Sequence, residues 1–341
     1  MHVYNKPNVS ITKYIYTLYA GTIVRFAFPI GEFIVPVMGR YVPDWRHVYV
    51  LCSIIVVPFL LLWFVPETPY YLINKDLKKR CKAVLLGFAK KNGVKTDEKE
   101  LEKVIQNIPV ETDTENLSPK LLFTYSKELT WITARLCFLI FAITFAMTGT
   151  GLFVTKLPGN QYVNAALSGV VDFIASATWP ILASWDQLGR KWTTLGNLVF
   201  SSVCLLCALI CDQFTGCTDD YVSTLVTVFS LLAKFGCSLN FCVIYQWISE
   251  IYPTSIRSSG VGICSASSII AAILTPAVLA LYGVYSWLPN IIFAVLGLLA
   301  VVLGTKLPET NGVKTMQTLK EAQEFYEGPV KIGAANIAYQ E

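Results

Sequence analysis

The sequence predicts an all-α, polytopic membrane protein with about eight transmembrane helices, and two observations lead to this prediction. Apolar residues make up 54% of the chain and charged residues only 15%, whereas roughly a quarter of a soluble globular domain is charged. A chain so poor in charge is typical of a protein that lipid surrounds. Apolar stretches also recur at the length of about 20 residues that spans a hydrocarbon core roughly 30 Å thick.

Eight stretches of about this length follow one another along the chain. Several contain Pro or Gly, which membrane helices tolerate because neighbouring helices satisfy the freed backbone groups. The first stretch is the least regular, since Arg25 and Glu32 interrupt it. The expected spans are residues 16–37, 47–65, 132–153, 164–184, 192–211, 223–245, 260–281 and 288–307.

Lys and Arg are distributed unevenly among the loops between these spans. The long segment 66–131 carries twelve of them, whereas the loop 212–221 carries three acids and no base. Because basic loops tend to face the cytoplasm, we expect the long segment and both termini to be cytoplasmic. Arg40 and Arg46 on the predicted outer side are an exception that the other loops outweigh.

These features divide the chain into four expected parts. Residues 1–65 supply the first two spans, and residues 131–307 form a bundle of six helices. Between them, residues 66–130 form a cytoplasmic linker of short amphipathic helices, because apolar residues recur there at helical spacing with lysines opposite. Residues 308–341 form a cytoplasmic tail.

The residues Pro-Glu-Thr close two distant apolar runs. One copy lies in FVPETPYYL and contains Glu67, and the other lies in LPETNG and contains Glu309. Both follow a span on the predicted cytoplasmic side, as expected if two halves of a transporter arose by duplication. A Pro-Glu pair can end a helix and present a carboxylate to arginines of neighbouring loops. Breaking such ion pairs is one way to gate a rocking motion.

Two more phrases lie at predicted cytoplasmic helix ends. DQLGRK is a tight turn with an acid at one end and bases at the other, and EIYPTSIR contains an acid, a helix-ending proline and a base. Together with the repeated phrase, they predict a set of residues that serves conformational gating. Its members are Glu67, Asp186, Gly189, Arg190, Lys191, Glu250, Pro253, Arg257 and Glu309.

These phrases, in this order and at these spacings, resemble those of the major facilitator superfamily and, within it, the organic cation/carnitine transporter family. DQLGRK resembles D-R-x-G-R-[RK], EIYPTSIR resembles the family's E-L-Y-P-T-x-x-R, and LPETNG matches L-P-E-T-x-G. The resemblance implies a twelve-helix fold of which this chain corresponds to the last eight helices. Residues 1–65 would then be the last two helices of the N-terminal half. The sequence would be either an incomplete gene model, which we favour, or a truncated product.

The resemblance implies transport of small organic ions by alternating access, the ions being organic cations, zwitterions such as carnitine, or organic anions. A sugar-porter-like facilitator and a truncated, non-transporting membrane protein are the alternatives. Nothing in the sequence predicts an enzyme. Its two histidines cannot form a metal cluster, and it contains neither a phosphate-cradling Gly-rich loop nor a Walker-type lysine. We therefore expect no cofactor, no metal and no nucleic-acid partner. The expected partners are a small organic ion and a lipid bilayer, and the resemblance implies that this bilayer is the plasma membrane.

Two ionisable residues within the later spans are candidates for substrate binding. A buried charge in a membrane helix is costly and therefore usually functional, which singles out Lys234 in the tenth family span and Asp172 in the eighth. The alternative is structural: Lys234 pairs with a neighbouring carboxylate, or the two residues neutralise each other. Cation-handling relatives carry an acid in the eleventh span where this chain has Ile269. With that acid lost and Lys234 present, the sequence favours a zwitterion or an anion over a simple monocation.

Aromatic residues are further candidates, since the faces of their rings attract organic cations. Phe241 and Tyr245 follow Lys234 in the same span, and Phe145 lies in the seventh family span. The alternative is that these rings serve packing or contact lipid.

Overall fold

A computed structural model describes residues 23–327 with gaps at 24, 43, 59, 61–65, 68, 75–76, 94–97, 99–100, 103–104, 106–119, 155–158, 184–188, 216–219, 286, 314–315 and 317–318. The described residues form helices and no strand, which confirms the all-α prediction. In chain order these helices are α1 (Ala27–Tyr41), α2 (Trp45–Val56), α3 (Pro69–Asn74), α4 (Lys78–Lys91), α5 (Leu121–Thr124), α6 (Lys127–Phe153), α7 (Gln161–Ala183), α8 (Arg190–Thr215), α9 (Asp220–Ile251), α10 (Arg257–Ala280), α11 (Leu288–Gly304) and α12 (Leu319–Glu327).

The described residues form two compact units. One unit comprises those of Met1–Pro43 and Ser118–Glu341, and the other those of Asp44–Leu117. The larger unit therefore contains α1 together with all helices from α5 onward.

Five helices of the larger unit are long and apolar enough to cross a bilayer, namely α6 to α10, the last extended by the turn Leu281–Gly283. Helix α11 is equally apolar but shorter, with 17 residues. The prediction of a multi-pass membrane protein is confirmed by these helices. The first two expected spans are described only in part, and they contain most of α1 and α2; residues 16–22, 24, 59 and 61–65 of these spans lie outside the described residues.

Local sequence explains where several helices begin. Ser126 caps α6, because its side chain accepts a hydrogen bond from the backbone N–H of Leu129 at 3.2 Å. Asn160 does the same for α7 by accepting from Tyr162 N at 3.0 Å. Such side chains satisfy backbone donors that the first turn of a helix leaves unpaired.

The larger unit is a bundle in which α6 contacts α9, α10 and α11, while α7 lies between α9 and α1. Small residues permit these close approaches, as is usual where membrane helices pack. A Cβ atom at Gly149 of α6 would lie 2.3 Å from the ring of Phe293 on α11. That ring is buried against Phe145 at a centroid distance of 5.1 Å, so it has little room to move.

The chain after α11 returns to the end of α9. The N–H of Thr254 donates to Met316 O at 3.0 Å, and the hydroxyl of Tyr326 on α12 donates to Ile251 O at 2.7 Å. Ile251 is the last residue of α9, so this bond satisfies a carbonyl that a helix end otherwise leaves without a partner. Helix α12 also contacts α6, and its Ala322 is buried.

In the smaller unit, α3 and α4 pack around Leu72, Ile73 and Cys81. Lysines lie on the other face of α4, and Lys82 Nζ contacts Glu102 at 2.9 Å. This hydrogen bond raises the pKa of Lys82 above its ordinary value. After α4, Gly93 takes a left-handed conformation with φ of 67°, which glycine adopts without steric cost.

The contact between Gly149 and Phe293 leads to a stability prediction. Replacement of Gly149 by Ala should destabilise the purified protein by about 1–3 kcal/mol, because the added methyl group overpacks the core. The matched control is Gly196→Ala in α8, where a Cβ meets nothing within 4 Å and Ala favours the helix by up to about 1 kcal/mol. Thermal unfolding in detergent measures both changes. Equal melting temperatures for the two variants would contradict this packing.

Candidate functional site

Three ionisable side chains meet within the helix bundle. The ammonium of Lys234 on α9 lies 3.3 Å from Asp172 Oδ2 on α7, and it also contacts Glu32 Oε1 on α1. The side chains of Lys234 and Asp172 are 2% and 3% exposed, whereas that of Glu32 is 27% exposed. We call Glu32, Asp172 and Lys234 the charge cluster.

Two serines complete the hydrogen bonding of the charge cluster. Ser168 donates to Glu32 Oε1 at 3.0 Å, and Ser238 donates to Asp172 Oδ1. Ser168 precedes Asp172 by one helical turn, and Ser238 follows Lys234 by one turn, so each serine shares a helix face with its charged neighbour. The facing surfaces of α7 and α9 are therefore polar at this depth of the bundle.

A glycine allows α1 to reach the cluster. A Cβ atom at Gly169 of α7 would lie 2.7 Å from the backbone nitrogen of Phe33, the residue after Glu32. Any larger residue would push the backbone of α1 away, because the clash is with main chain and not with the end of a flexible side chain. The neighbouring Ser168 could then no longer reach Glu32.

The cluster contains two carboxylates and one ammonium, so it carries one net negative charge when all three groups are ionised. An isolated charge within a bilayer is costly, and removing one partner of a buried ion pair typically costs about 3–5 kcal/mol. Each carboxylate alone could neutralise Lys234. The second carboxylate is an excess negative charge held next to the pair.

An aromatic pair lies on the same face of α9 as Lys234. The ring centroids of Phe241 and Tyr245 are 5.1 Å apart in an edge-to-face arrangement, and both rings are partly exposed. Lys234, Ser238, Phe241 and Tyr245 recur at the spacing that places helical residues on one side. The pair lies between the charge cluster and the end of α9 at Ile251.

Of the six residues that the sequence singled out for substrate binding, two form an ion pair and two more lie on the same face of α9. Asp172 and Lys234 pair directly, and Phe241 and Tyr245 share their helix face. Phe145 instead packs in the core with Phe293 and is only 3% exposed. The side chain of Ile269 is 60% exposed on α10 and is absent from the described contacts of the cluster.

Among the predictions from the sequence, Glu32 is only an interruption of the first span, and neither serine is a candidate for the site. Two signals were present in the sequence. One is a carboxylate inside an otherwise apolar stretch, which is usually functional. The other is a stripe of buried polar residues repeated every helical turn of α7, formed by Asn164, Ser168, Asp172 and Ser176.

A second site lies at the end of the bundle that we expect to face the cytoplasm. Glu309, in the second Pro-Glu-Thr copy, accepts backbone N–H groups of Arg190 and Lys191 at 2.9 and 3.1 Å. It also accepts those of Thr310 and Asn311 at 3.0 and 3.2 Å. The carboxylate therefore caps the start of α8, where the helix dipole favours a negative charge.

An ion pair extends this site to the end of α9. Arg190 Nε lies 3.1 Å from Glu250 Oε2, and Arg190 also donates to Asn311 Oδ1 at 2.6 Å. Glu250 further accepts from Thr310 Oγ1 at 2.7 Å and from Gln246 Nε2 at 2.9 Å. These contacts join the ends of α8 and α9 to the segment after α11, and we call them the end cluster.

The remaining gating candidates take different positions. A Cβ atom at Gly189 would lie 2.1 Å from Glu309 Oε2, so the cap requires glycine there. The ammonium of Lys191 donates to Thr305 O at 2.6 Å, and Arg257 Nε donates to Tyr252 O at 3.2 Å. Pro253 lies in the turn after α9.

The first copy of the Pro-Glu-Thr phrase makes fewer described contacts than the second copy. Glu67 is exposed and makes no hydrogen bond or ion pair among the described residues. Asp186 lies outside the described residues.

A bundle of membrane-length helices with a polar, charged site midway along the helices, and an ion-paired site at their ends, is typical of membrane transport proteins. The chain belongs to the sugar (and other) transporter family, whose sequence pattern matches residues 10–322.

Curated relatives are members of solute carrier family 22, which confirms the resemblance to organic ion transporters. A member 15-like protein of Xenopus laevis is 29% identical over 311 residues, covering 90% of this chain and 61% of the relative. Human member 16 is 30% identical over 305 residues, covering 87% and 51%, and member 2 of Oryctolagus cuniculus is 28% identical over 325 residues, covering 93% and 56%. The chain thus spans roughly half to three fifths of the length of these relatives.

Solved structures support the fold. The proton:xylose symporter XylE bound to 6-bromo-6-deoxy-D-glucose superposes with a TM-score of 0.61 at 17% identity, covering 90% of this chain and 66% of that one. The inward-open conformation of XylE from E. coli gives a TM-score of 0.59 at 18% identity, covering 89% and 64%. At these identities the likeness defines the major facilitator fold alone.

The end cluster leads to a prediction about transport kinetics. In the full-length gene product, Glu250→Gln should lower the maximal uptake rate about five- to thirtyfold, the effect of a shift of roughly 1–2 kcal/mol in a conformational equilibrium. The apparent affinity should stay within about threefold, because Glu250 lies many turns along α9 from Lys234. The control is Glu128→Gln, an exposed acid in the first turn of α6. A large loss of affinity at an unchanged maximal rate would contradict a gating role.

Proposed function

We propose that this protein carries small organic cations across the plasma membrane by alternating access, and that the charge cluster attracts the substrate. The proposal is supported by the transporter family of the chain and by its relatives in solute carrier family 22. It describes a carrier that moves its substrate without a covalent step. The observation that carries the choice of charge is that two carboxylates already contact Lys234.

An anionic substrate would compete poorly for Lys234. To reach the ammonium, its carboxylate would have to displace Glu32 or Asp172 and leave that acid without its counterion. Uncompensated charge in a buried site costs several kcal/mol. The sequence alone favoured a zwitterion or an anion on the premise that Lys234 is available, and the contacts with two acids remove that premise.

A cationic substrate would be attracted by the charge cluster, whereas an anionic substrate would be repelled. The cluster holds one carboxylate more than its ammonium neutralises, so a cation nearby completes the charge balance. Two unit charges about 4 Å apart attract by about 4 kcal/mol at an effective dielectric constant of about 20. Glu32 is the most exposed member of the cluster, so we propose that its side is the one from which a substrate approaches.

The aromatic pair suits the same substrate class. Phe241 and Tyr245 lie on the cluster's side of α9 and are partly exposed. A cation over such a ring gains about 0.5–2 kcal/mol, more when water is excluded. A neutral sugar would gain nothing from the excess charge, which favours an organic ion over the sugar-porter alternative.

Uptake of tetraethylammonium by the full-length gene product tests this proposal. Asp172→Asn removes the excess negative charge while keeping the shape of the side chain, and should raise the apparent KM about tenfold or more. Phe241→Leu should raise it about two- to tenfold, the equivalent of losing one cation–π contact. The control is Glu324→Gln, an exposed acid on α12. The proposal is wrong if the wild type takes up benzoate in preference to tetraethylammonium, or if Asp172→Asn leaves cation uptake unchanged.

A further inference from the structure

We propose that Glu32 and Asp172 together hold one proton, and that this proton is exchanged for the transported cation. The exchange rests on the cation transport proposed above, whereas the proton site rests on the geometry of the cluster alone. Its ligand is the simplest cation, H⁺, bound between two carboxyl groups within the bilayer.

The first observation is the arrangement of the two acids. Glu32 Oε1 and Asp172 Oδ2 both contact the ammonium of Lys234, so the two carboxyl groups lie side by side. Two carboxylates that share a site cannot both ionise readily, because each negative charge opposes the other. One ammonium neutralises one of them, so the second is the place for a proton. The proton belongs to the pair and not to either residue.

The second observation is an oxygen without a hydrogen bond. Asp172 Oδ2 is buried and, besides its ion-pair contact with Lys234, has no hydrogen-bond partner among the described residues. The residue as a whole is 2% exposed. Buried polar atoms are rarely left without a partner. A proton on either carboxyl group provides one, because the protonated acid donates to the other.

Other charged groups near the cluster are few among the described residues. On α9, the buried thiol of Cys237 follows Lys234 by three residues. On α6, Gly151 lies against the cluster, since a Cβ there would be 3.4 Å from Lys234 Nζ. Just before α1, Arg25 lies seven residues ahead of Glu32 and has no described ion pair with the cluster. No second ammonium or guanidinium among these contacts neutralises the excess acid.

The charge of the cluster therefore has two values. With the shared proton bound, one carboxylate balances Lys234 and the cluster is neutral. With the proton released, the cluster carries one negative charge. An organic cation and the proton then compete for the same excess charge, and each weakens the binding of the other to the same extent.

The exchange conserves charge and mass. On the side where the cation binds, the carboxyl pair releases its proton to water. After the cation leaves on the other side, the pair takes a proton from water there. One monovalent cation moves for each proton that returns, so the cycle transfers no net charge across the membrane.

Infrared difference spectroscopy of the purified full-length protein tests the proton site directly. A protonated carboxyl group has a C=O stretch that ionised carboxylates lack. That band should disappear as the pH rises, and it should be missing in both Glu32→Gln and Asp172→Asn, since either variant leaves one ionised acid paired with Lys234. It should persist in the control Glu324→Gln. A band that survives in both cluster variants would overturn the shared proton.

Uptake at different pH values tests the exchange. The apparent KM for tetraethylammonium should rise up to about tenfold for each unit by which the pH falls below the midpoint of the infrared titration, because one proton competes with one cation. In Asp172→Asn the apparent KM should be independent of pH. A wild-type apparent KM that is likewise independent of pH would overturn the proposed competition. If no organic cation is taken up at any pH, the proposed function and the exchange fail together, while the infrared band still decides the proton site.

Discussion

The buried ammonium of Lys234 is the constraint on which the arrangement of the bundle depends. It lies at 2% exposure within a membrane-length helix, where a charge without a counterion costs several kcal/mol. Asp172 on α7 and Glu32 on α1 supply the counterions, so three helices from distant parts of the chain must meet at one depth. Gly169 permits the meeting, because it lets the backbone of α1 approach α7. Gly169 thus allows the two helices to approach, and the ion pairs of Lys234 stabilise them in contact.

Helix α9 connects the two sites of the molecule. Lys234 and Glu250 lie on the same helix, roughly 24 Å apart at a rise of about 1.5 Å per residue. The first belongs to the charge cluster and the second to the end cluster, where it pairs with Arg190. A movement of α9 that rearranges one cluster therefore strains the other. For the proposed carrier, we infer that this link couples substrate binding to the opening of one end of the bundle.

Much of the fold could be predicted from the sequence because membrane helices have a simple signature in length and hydropathy. The end cluster could also be predicted in part, since the Pro-Glu-Thr phrase and the turn before α8 carry complementary charges. The contact between Glu32 and Lys234 could not be predicted, because it depends on how α1 packs against helices far along the chain. Phe145 shows the same limit: helical spacing gives its face, but only packing decides that this face meets Phe293. The contacts of Glu309 with the start of α8 likewise depend on tertiary packing, because the same phrase around Glu67 makes no such contact among the described residues.

The most direct measurement is the thermal stability of variants that remove the acids singly and together. Glu32→Gln or Asp172→Asn alone leaves Lys234 with one counterion and should destabilise the protein only modestly. The double variant leaves a buried ammonium without a counterion and should cost several kcal/mol more than the sum of the two single changes. Adding Lys234→Met to the double variant should then restore most of the lost stability. Additive losses without rescue by Lys234→Met would contradict the charge cluster.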